Sequence, residues 1–212
     1  MNSILNELSL WTPSLLEGFS LNISISLLAM ITGTAVGWCL ALGRGSIKGY
    51  MAISCHSLTS IFRNIPSFVL MFYIAFAIPI EFEWQGELIH FPAWIKASIA
   101  LAVPVIGFTA DQFLHLRSAL KQKNTVALPM FLIAWAQYFV IILMASSTAS
   151  VIGVHEIVGR ANTAIEVLRD PAFMLWMYLY VALWFLLAAA LINYLLHYIS
   201  QKIHKKTSIN ND

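Results

Sequence analysis

Charge is what this sequence has least of. Asp, Glu, Lys and Arg make up only 10% of the 212 residues, while 59% are hydrophobic, and mean hydropathy is positive at +0.78. That balance excludes an ordinary soluble domain and places the chain in the membrane class. Cysteine is also scarce. Cys39 and Cys55 are the only two, with no CxxC and no Cys/His spacing, so they read as apolar packing residues rather than a disulfide or metal site. No GxxxxGK[ST] phosphate loop is present, so the chain does not itself bind ATP through that motif. The first residues, MNSILNELSLW, lack a basic n-region, and a cleaved signal peptide is not expected. Carboxylates are missing from the middle of every long apolar run, which argues against proton relays and against an intramembrane acid protease.

What remains is long and apolar. Runs free of Asp, Glu, Lys and Arg are Gly18–Gly43, Asn64–Ile80, Ala97–Ala110, Thr125–His155 and Pro171–Gln201. A bilayer-crossing helix takes roughly 20 apolar residues, whereas a barrel shows alternating segments of about 10. The runs therefore predict an all-α polytopic membrane protein with about five spans, near 18–43, 64–80, 91–112, 125–147 and 171–199. All lie in a single domain covering 1–212. Lys96 falls near one end of the third span, where a lysine is expected to snorkel to the headgroups.

The few charges are sorted. With five alternating spans, one side holds Arg44, Lys48, Arg63, Arg117, Lys121, Lys123, Lys202, Lys205 and Lys206. These are nine of the twelve cations, and eight of the ten acids fall on the other side. The positive-inside rule makes the basic side cytoplasmic, with the N-terminus outside and the C-terminus inside.

Three segments depart from simple spans. Gly49–Phe62 is too short to cross and reads as an in-plane helix. MASSTASVIG, small and hydroxyl-rich, reads equally as a re-entrant stretch lining a cavity or as close helix packing. His155–Asp170 has the spacing of an external amphipathic helix, and its His155–Glu156 pair is a weak metal or acid/base signal. Gln137 is mid-span, and with Ser146, Ser147 and Thr148 it makes a candidate wall of a polar pathway. No catalytic residues and no metal ligands are expected.

Three stretches also carry a family resemblance. LEGFSLNISISLLAMITGTAVGWCLALGR (Leu16–Arg44) resembles the opening helix of permease subunits in the polar-amino-acid branch of ABC importers. FRNIPSFV resembles their Arg-x-x-Pro step into the second helix, at Arg63 and Pro66. SSTASVIGVHEIVGRAN (Ser146–Asn162) resembles their Thr-Ser-Leu-Ala segment and the external helix after it.

The resemblance implies a type I importer permease in a bacterial cytoplasmic (inner) membrane. Its implied partners are a second permease subunit, homologous or identical, a cytoplasmic ABC ATPase dimer that uses ATP, and an extracytoplasmic substrate-binding protein. Membrane lipids surround it, and no nucleic acid is implied. It further implies polar amino acids as substrate and no cofactor in this chain.

Two departures stand out. Between Ala110 and Pro129 there is no Glu-Ala-Ala-x3-Gly coupling segment, only a short stretch with Arg117, Lys121 and Lys123 as a reduced coupling loop. Met144 stands where many relatives have lysine. The expectation is a heteromeric complex in which a partner permease carries the ATPase-docking helices. The alternatives are a degenerate permease acting as a non-transporting assembly or regulatory subunit, and an ion-coupled secondary carrier.

Overall fold

A computed structural model describes residues 2–45 and 49–209. Lys48, one of the sorted cations, lies outside them, as do the last three residues. The described residues form seven α-helices: α1 (Asn2–Arg44), α2 (Gly49–Asn64), α3 (Ser67–Ala77), α4 (Ala93–Lys121), α5 (Ala127–Ala145), α6 (Ile157–Leu168) and α7 (Pro171–Ile209). A 3-10 turn over Ser146–Ile152 extends α5 directly, and a hairpin of β1 (Glu81–Trp84) and β2 (Glu87–His90) joins α3 to α4. The described chain is thus all-α apart from one hairpin.

Among the described residues, four helical stretches are long and apolar enough to cross a membrane: Ile4–Arg44, Ala93–Lys121, Ala127–Ile152 and Pro171–Lys202. The bent pair α2–α3 makes a fifth if counted as one.

The central seam joins α1 to α4, and the two run parallel. Gly33 sits over Ala102 and Val105, Gly37 over Ile106 and Thr109, and Arg44 meets Asp111. A Cβ built on Gly33 would stand 2.6 Å from Val105 Cβ, and one on Gly37 2.8 Å from the Ile106 carbonyl oxygen. This small-xxx-small spacing brings two backbones together where lipid supplies no hydrophobic drive, so dispersion carries the contact. The Thr109 hydroxyl reaches the Gly33 carbonyl across the seam at 3.3 Å. Around it Ile25, Ala29, Met30, Leu101, Val105 and Ile142 form one buried cluster. A second cluster lies toward the other end of α1, where Leu8, Leu15 and Phe19 pack on Ile157, Ala161, Phe173 and Met177.

Parallel α1 and α4 require the chain to return between them, and α2–α3 makes that return. Ile65 precedes Pro66 and is pushed out of helical geometry, so α2 stops at Asn64 and α3 starts anew at a 95° bend. The bend lies against Gly107 of α4, where a Cβ would come within 3.0 Å of the Arg63 backbone.

α3 is far shorter than the expected second span, and its C-terminal carbonyls are met by Lys96. That side chain does not snorkel outward. It is 2% exposed, and its ammonium donates to the Ala75 and Ile78 carbonyl oxygens. Helix ends leave carbonyls without partners and carry partial negative charge, so a buried cation there is matched on both counts.

The hydroxyl-rich stretch forms no re-entrant loop; it continues α5 as a helical turn packed through Ser146 and Ala149, both fully buried. Ser146, Ser147, Thr148 and Ser150 each donate to the carbonyl three residues back. These short-range bonds accompany the tightening of α5 into a 3-10 turn, which ends at Gly153 with φ +84°. The basic stretch after the third span also differs from a loop. Nothing between Ala110 and Lys121 breaks a helix, so α4 continues through Arg117 and Lys121. Only Lys123, at φ +57°, sits in the tight connection Gln122–Val126.

Candidate functional site

Polar side chains within this apolar body converge at two nodes, one at each end of the α1–α4 seam. At the acidic end Asn22, Ser146 and Glu156 are all fully buried. Asn22 Nδ2 donates to Ser146 Oγ at 2.9 Å and to Glu156 Oε2 at 2.8 Å, and Asn22 Oδ1 accepts from the Ile157 N–H at 3.1 Å. Glu156 caps α6, taking the Val158 and Gly159 N–H groups at 3.1 Å each. Gly18 makes the approach possible, because a Cβ there would stand 2.7 Å from the Ile157 nitrogen. Nearby, Arg160 pairs with Glu17 at 2.8 Å and donates to Ser14 Oγ at 3.1 Å. Three elements, α1, the 3-10 turn and α6, are thereby fixed to one another.

Burial pushes the Glu156 carboxyl above its ordinary value, opposed by the hydrogen bonds from Val158, Asn22, Gly159 and Ser150. A carboxyl raised on folding gives stability that is fully present below its unfolded value, near 4.5, and lost as pH rises through the folded value. The thermal midpoint of the wild type is therefore expected to climb as pH falls from 8 toward that range. Glu156→Gln, which keeps the shape, is expected to flatten this slope in melts of the detergent-solubilised protein. A slope unchanged in Glu156→Gln would assign the dependence to another group.

At the basic end, Asp111 of α4 lies between two arginines. Oδ1 accepts from Arg44 Nη1 at 2.5 Å and Oδ2 from Arg63 Nη1 at 3.0 Å. The side chains of Arg44 and Asp111 are 15% and 26% exposed, whereas that of Arg63 is 58% exposed. The last turn of α1, the elbow after α2 and the middle of α4 meet here. Arg63 is legible from the sequence, and its partner here is Asp111 of α4.

The residues expected to line a pathway separate. Ser146 is enclosed in the Asn22–Glu156 node. Ser147 and Thr148 are partly open, and the Thr148 hydroxyl also approaches Met71 Sδ of α3 at 3.8 Å. Gln137 is exposed about three helical turns away, in a cavity of about 180 Å³ shared with Ser200 of α7. The structure does not bring Gln137 together with the hydroxyl group. Pro66 closes the elbow as the N-cap of α3. Among the described residues no group of three or more His, Cys, Asp or Glu side chains is arranged to hold a metal. His155–Glu156 is no exception, because Glu156 is committed to the helix cap.

With this geometry in place, the fold has a solved counterpart. It is similar to a chain in the crystal structure of an amino acid ABC transporter with histidines. The TM-score is 0.73 at 19% identity, covering 91% of this chain and 95% of that one. At that identity the likeness is one of fold alone. No protein-family model matches the sequence, and no curated protein matches it.

Proposed function

We propose that the chain is a membrane permease subunit of an ABC importer for polar amino acids, seated in the bacterial cytoplasmic membrane with its basic end inside. The observation that carries this reading is the fold likeness to an amino acid ABC transporter along nearly the whole length of both chains. The sorting of charge supports the orientation. Arg44, Arg63, Arg117 and Lys121 lie at one end of the α1–α4 pair, and Glu17 and Glu156 lie toward the other. Ser147, Thr148 and Gln137 remain the candidate pathway residues, and Ser146 acts behind the wall by holding Asn22.

The connection Gln122–Val126 favours a heteromeric complex. Transport requires ATP binding to bias one of two membrane conformations, and that bias needs a surface on the ATPase. A tight turn between α4 and α5 offers charge but no docked helix. The ATPase-docking helices then belong to a second permease, while an extracytoplasmic binding protein delivers substrate and the ATPase dimer consumes ATP. The same turn is what favours the second reading, a degenerate permease that assembles without transporting.

Affinity purification in mild detergent, followed by mass spectrometry and uptake of labelled amino acids in a deletion strain, tests the proposal. Recovery of an ATPase with a different permease, and loss of polar-amino-acid uptake on deletion, is the expected result. Recovery of partners with no ATPase among them, and uptake unaffected by deletion, would leave only the assembly role.

A further inference from the structure

At the basic end a groove of about 550 Å³ runs between α1 and α4. Its walls are apolar, with Trp38, Leu42, Phe113 and Leu120, and its mouth carries Arg117 and Lys121. It adjoins a second cavity of about 270 Å³ that is lined by Gly45, Ser118 and the same two cations. Trp38, Leu42 and Leu120 are each more than half exposed, so no described part of the chain covers the groove. Gly45 lets the Arg117 guanidinium lie directly on the end of α1, where a Cβ would collide with it. Neither Arg117 nor Lys121 is in an ion pair among the described residues.

A long apolar slot ending in two cations with no ion pair among the described residues, and a hydroxyl beside them, has the polarity of a single amphiphile: hydrocarbon along the helices, anion at the end. Both helices are long and apolar enough to span a membrane, and the slot lies at their basic end. Trp38 and Phe113, with ring centroids 6.3 Å apart, offer a large apolar surface to a hydrocarbon chain. Basic pockets between spanning helices hold anionic headgroups by this logic.

We propose that the α1–α4 groove is a binding site for an anionic phospholipid, one acyl chain along Trp38 and Phe113 and the phosphate between Arg117 and Lys121. The site gives these cations a role separate from docking an ATPase, and it stands whether or not the chain transports. A lipid held here bridges the last turns of α1 and α4, next to the Arg44–Asp111 contact.

The test uses the full-length protein with its co-purifying partners in nanodiscs, and reads Trp38 emission as the difference between wild type and Trp38→Phe. Chain-brominated phosphatidylglycerol in unlabelled phosphatidylcholine is compared with the converse mixture at equal mole fraction of brominated lipid. Each cation near a membrane surface contributes about five-fold to anionic-lipid affinity, so a preference of roughly thirty-fold is expected from the pair. It is expected to fall as ionic strength rises, to vanish in Arg117→Gln/Lys121→Gln, and to persist in Arg117→Lys/Lys121→Arg. Equal quenching by both lipids overturns the proposal, as does a preference that survives the glutamine variant. Salt dependence in the wild type decides the matter even if that variant fails to fold. Trp38 quenched by neither lipid overturns it in favour of a protein partner seated in the groove.

Discussion

Gly37→Leu is expected to lower the thermal midpoint of the solubilised protein by roughly 6–12 °C, the counterpart of about 3 kcal/mol for a domain of this size. The effect starts from one contact. A Cβ at position 37 already stands 2.8 Å from the Ile106 carbonyl oxygen and overlaps the Thr109 hydroxyl. Neither neighbour is the free end of a flexible chain. The carbonyl belongs to the α4 backbone, and Thr109 is fully buried, bonded to Val105 O at 2.7 Å and to Gly33 O at 3.3 Å. Accommodation therefore requires the two helices to separate along the seam. Separation loosens the buried cluster of Ile25, Met30, Leu101 and Val105, and with it the Trp135–Thr34 bond at 2.8 Å that ties α5 to α1.

Gly37→Ala carries the same first clash with fewer atoms and is expected to cost about a third as much. Gly49→Leu is the control, because a Cβ there meets nothing within 4 Å. Tryptophan-fluorescence melts of the three variants check the ordering. Equal midpoints for Gly37→Leu and Gly49→Leu would refute a close parallel α1–α4 contact.

That seam shows how far a sequence of this kind can be read. Hydropathy marks the helices because each must bury its own backbone polarity in lipid, whatever it packs against. The hydroxyls of Ser146–Ser150 announced an irregular stretch, but the 3-10 geometry depends on each hydroxyl bonding three residues back. A composition signal does not distinguish that from a cavity lining.

Long-range pairing is what the sequence withholds. Asn22 and Glu156 are separated by 134 residues and Arg44 and Asp111 by 67. Lys96 misled for a related reason. A lysine near a span end snorkels only when water is the nearest partner, and here the carbonyls of α3 are nearer. One signal for Asp111 was available. It is the sole acid on the basic side before the C-terminal tail, and a lone carboxylate among cations at a helix end calls for a partner.

Asp111→Asn is expected to produce the second large effect, and a graded series around it separates fold from function. The single Asp111 carboxylate bridges two guanidiniums from two other helices. With asparagine in its place, Arg44 and Arg63 face each other across a site without an anion. A charge-assisted hydrogen bond contributes about 1.5–3 kcal/mol where it is sheltered, as the Arg44 contact is, and an exposed pair such as Arg63–Asp111 adds about 0–1. The expected order of thermal destabilisation is Asp111→Asn, then Arg44→Gln, then Arg63→Gln. Asp111→Asn shifts the midpoint by roughly 4–8 °C for about 2 kcal/mol. A double-mutant cycle on Arg44 and Asp111 isolates their coupling, and additivity of the two single changes would remove the node as a stabilising element.

The functional arm follows from where the node sits. It pins the elbow of α2–α3, the one sharp bend among the described spans, to the end of the α1–α4 seam. If conformational switching of a permease works through that elbow, Arg63→Gln should leave the melt nearly unchanged while altering amino-acid uptake per assembled complex. If the node only holds the fold, uptake across the series should track the amount of folded protein and nothing else.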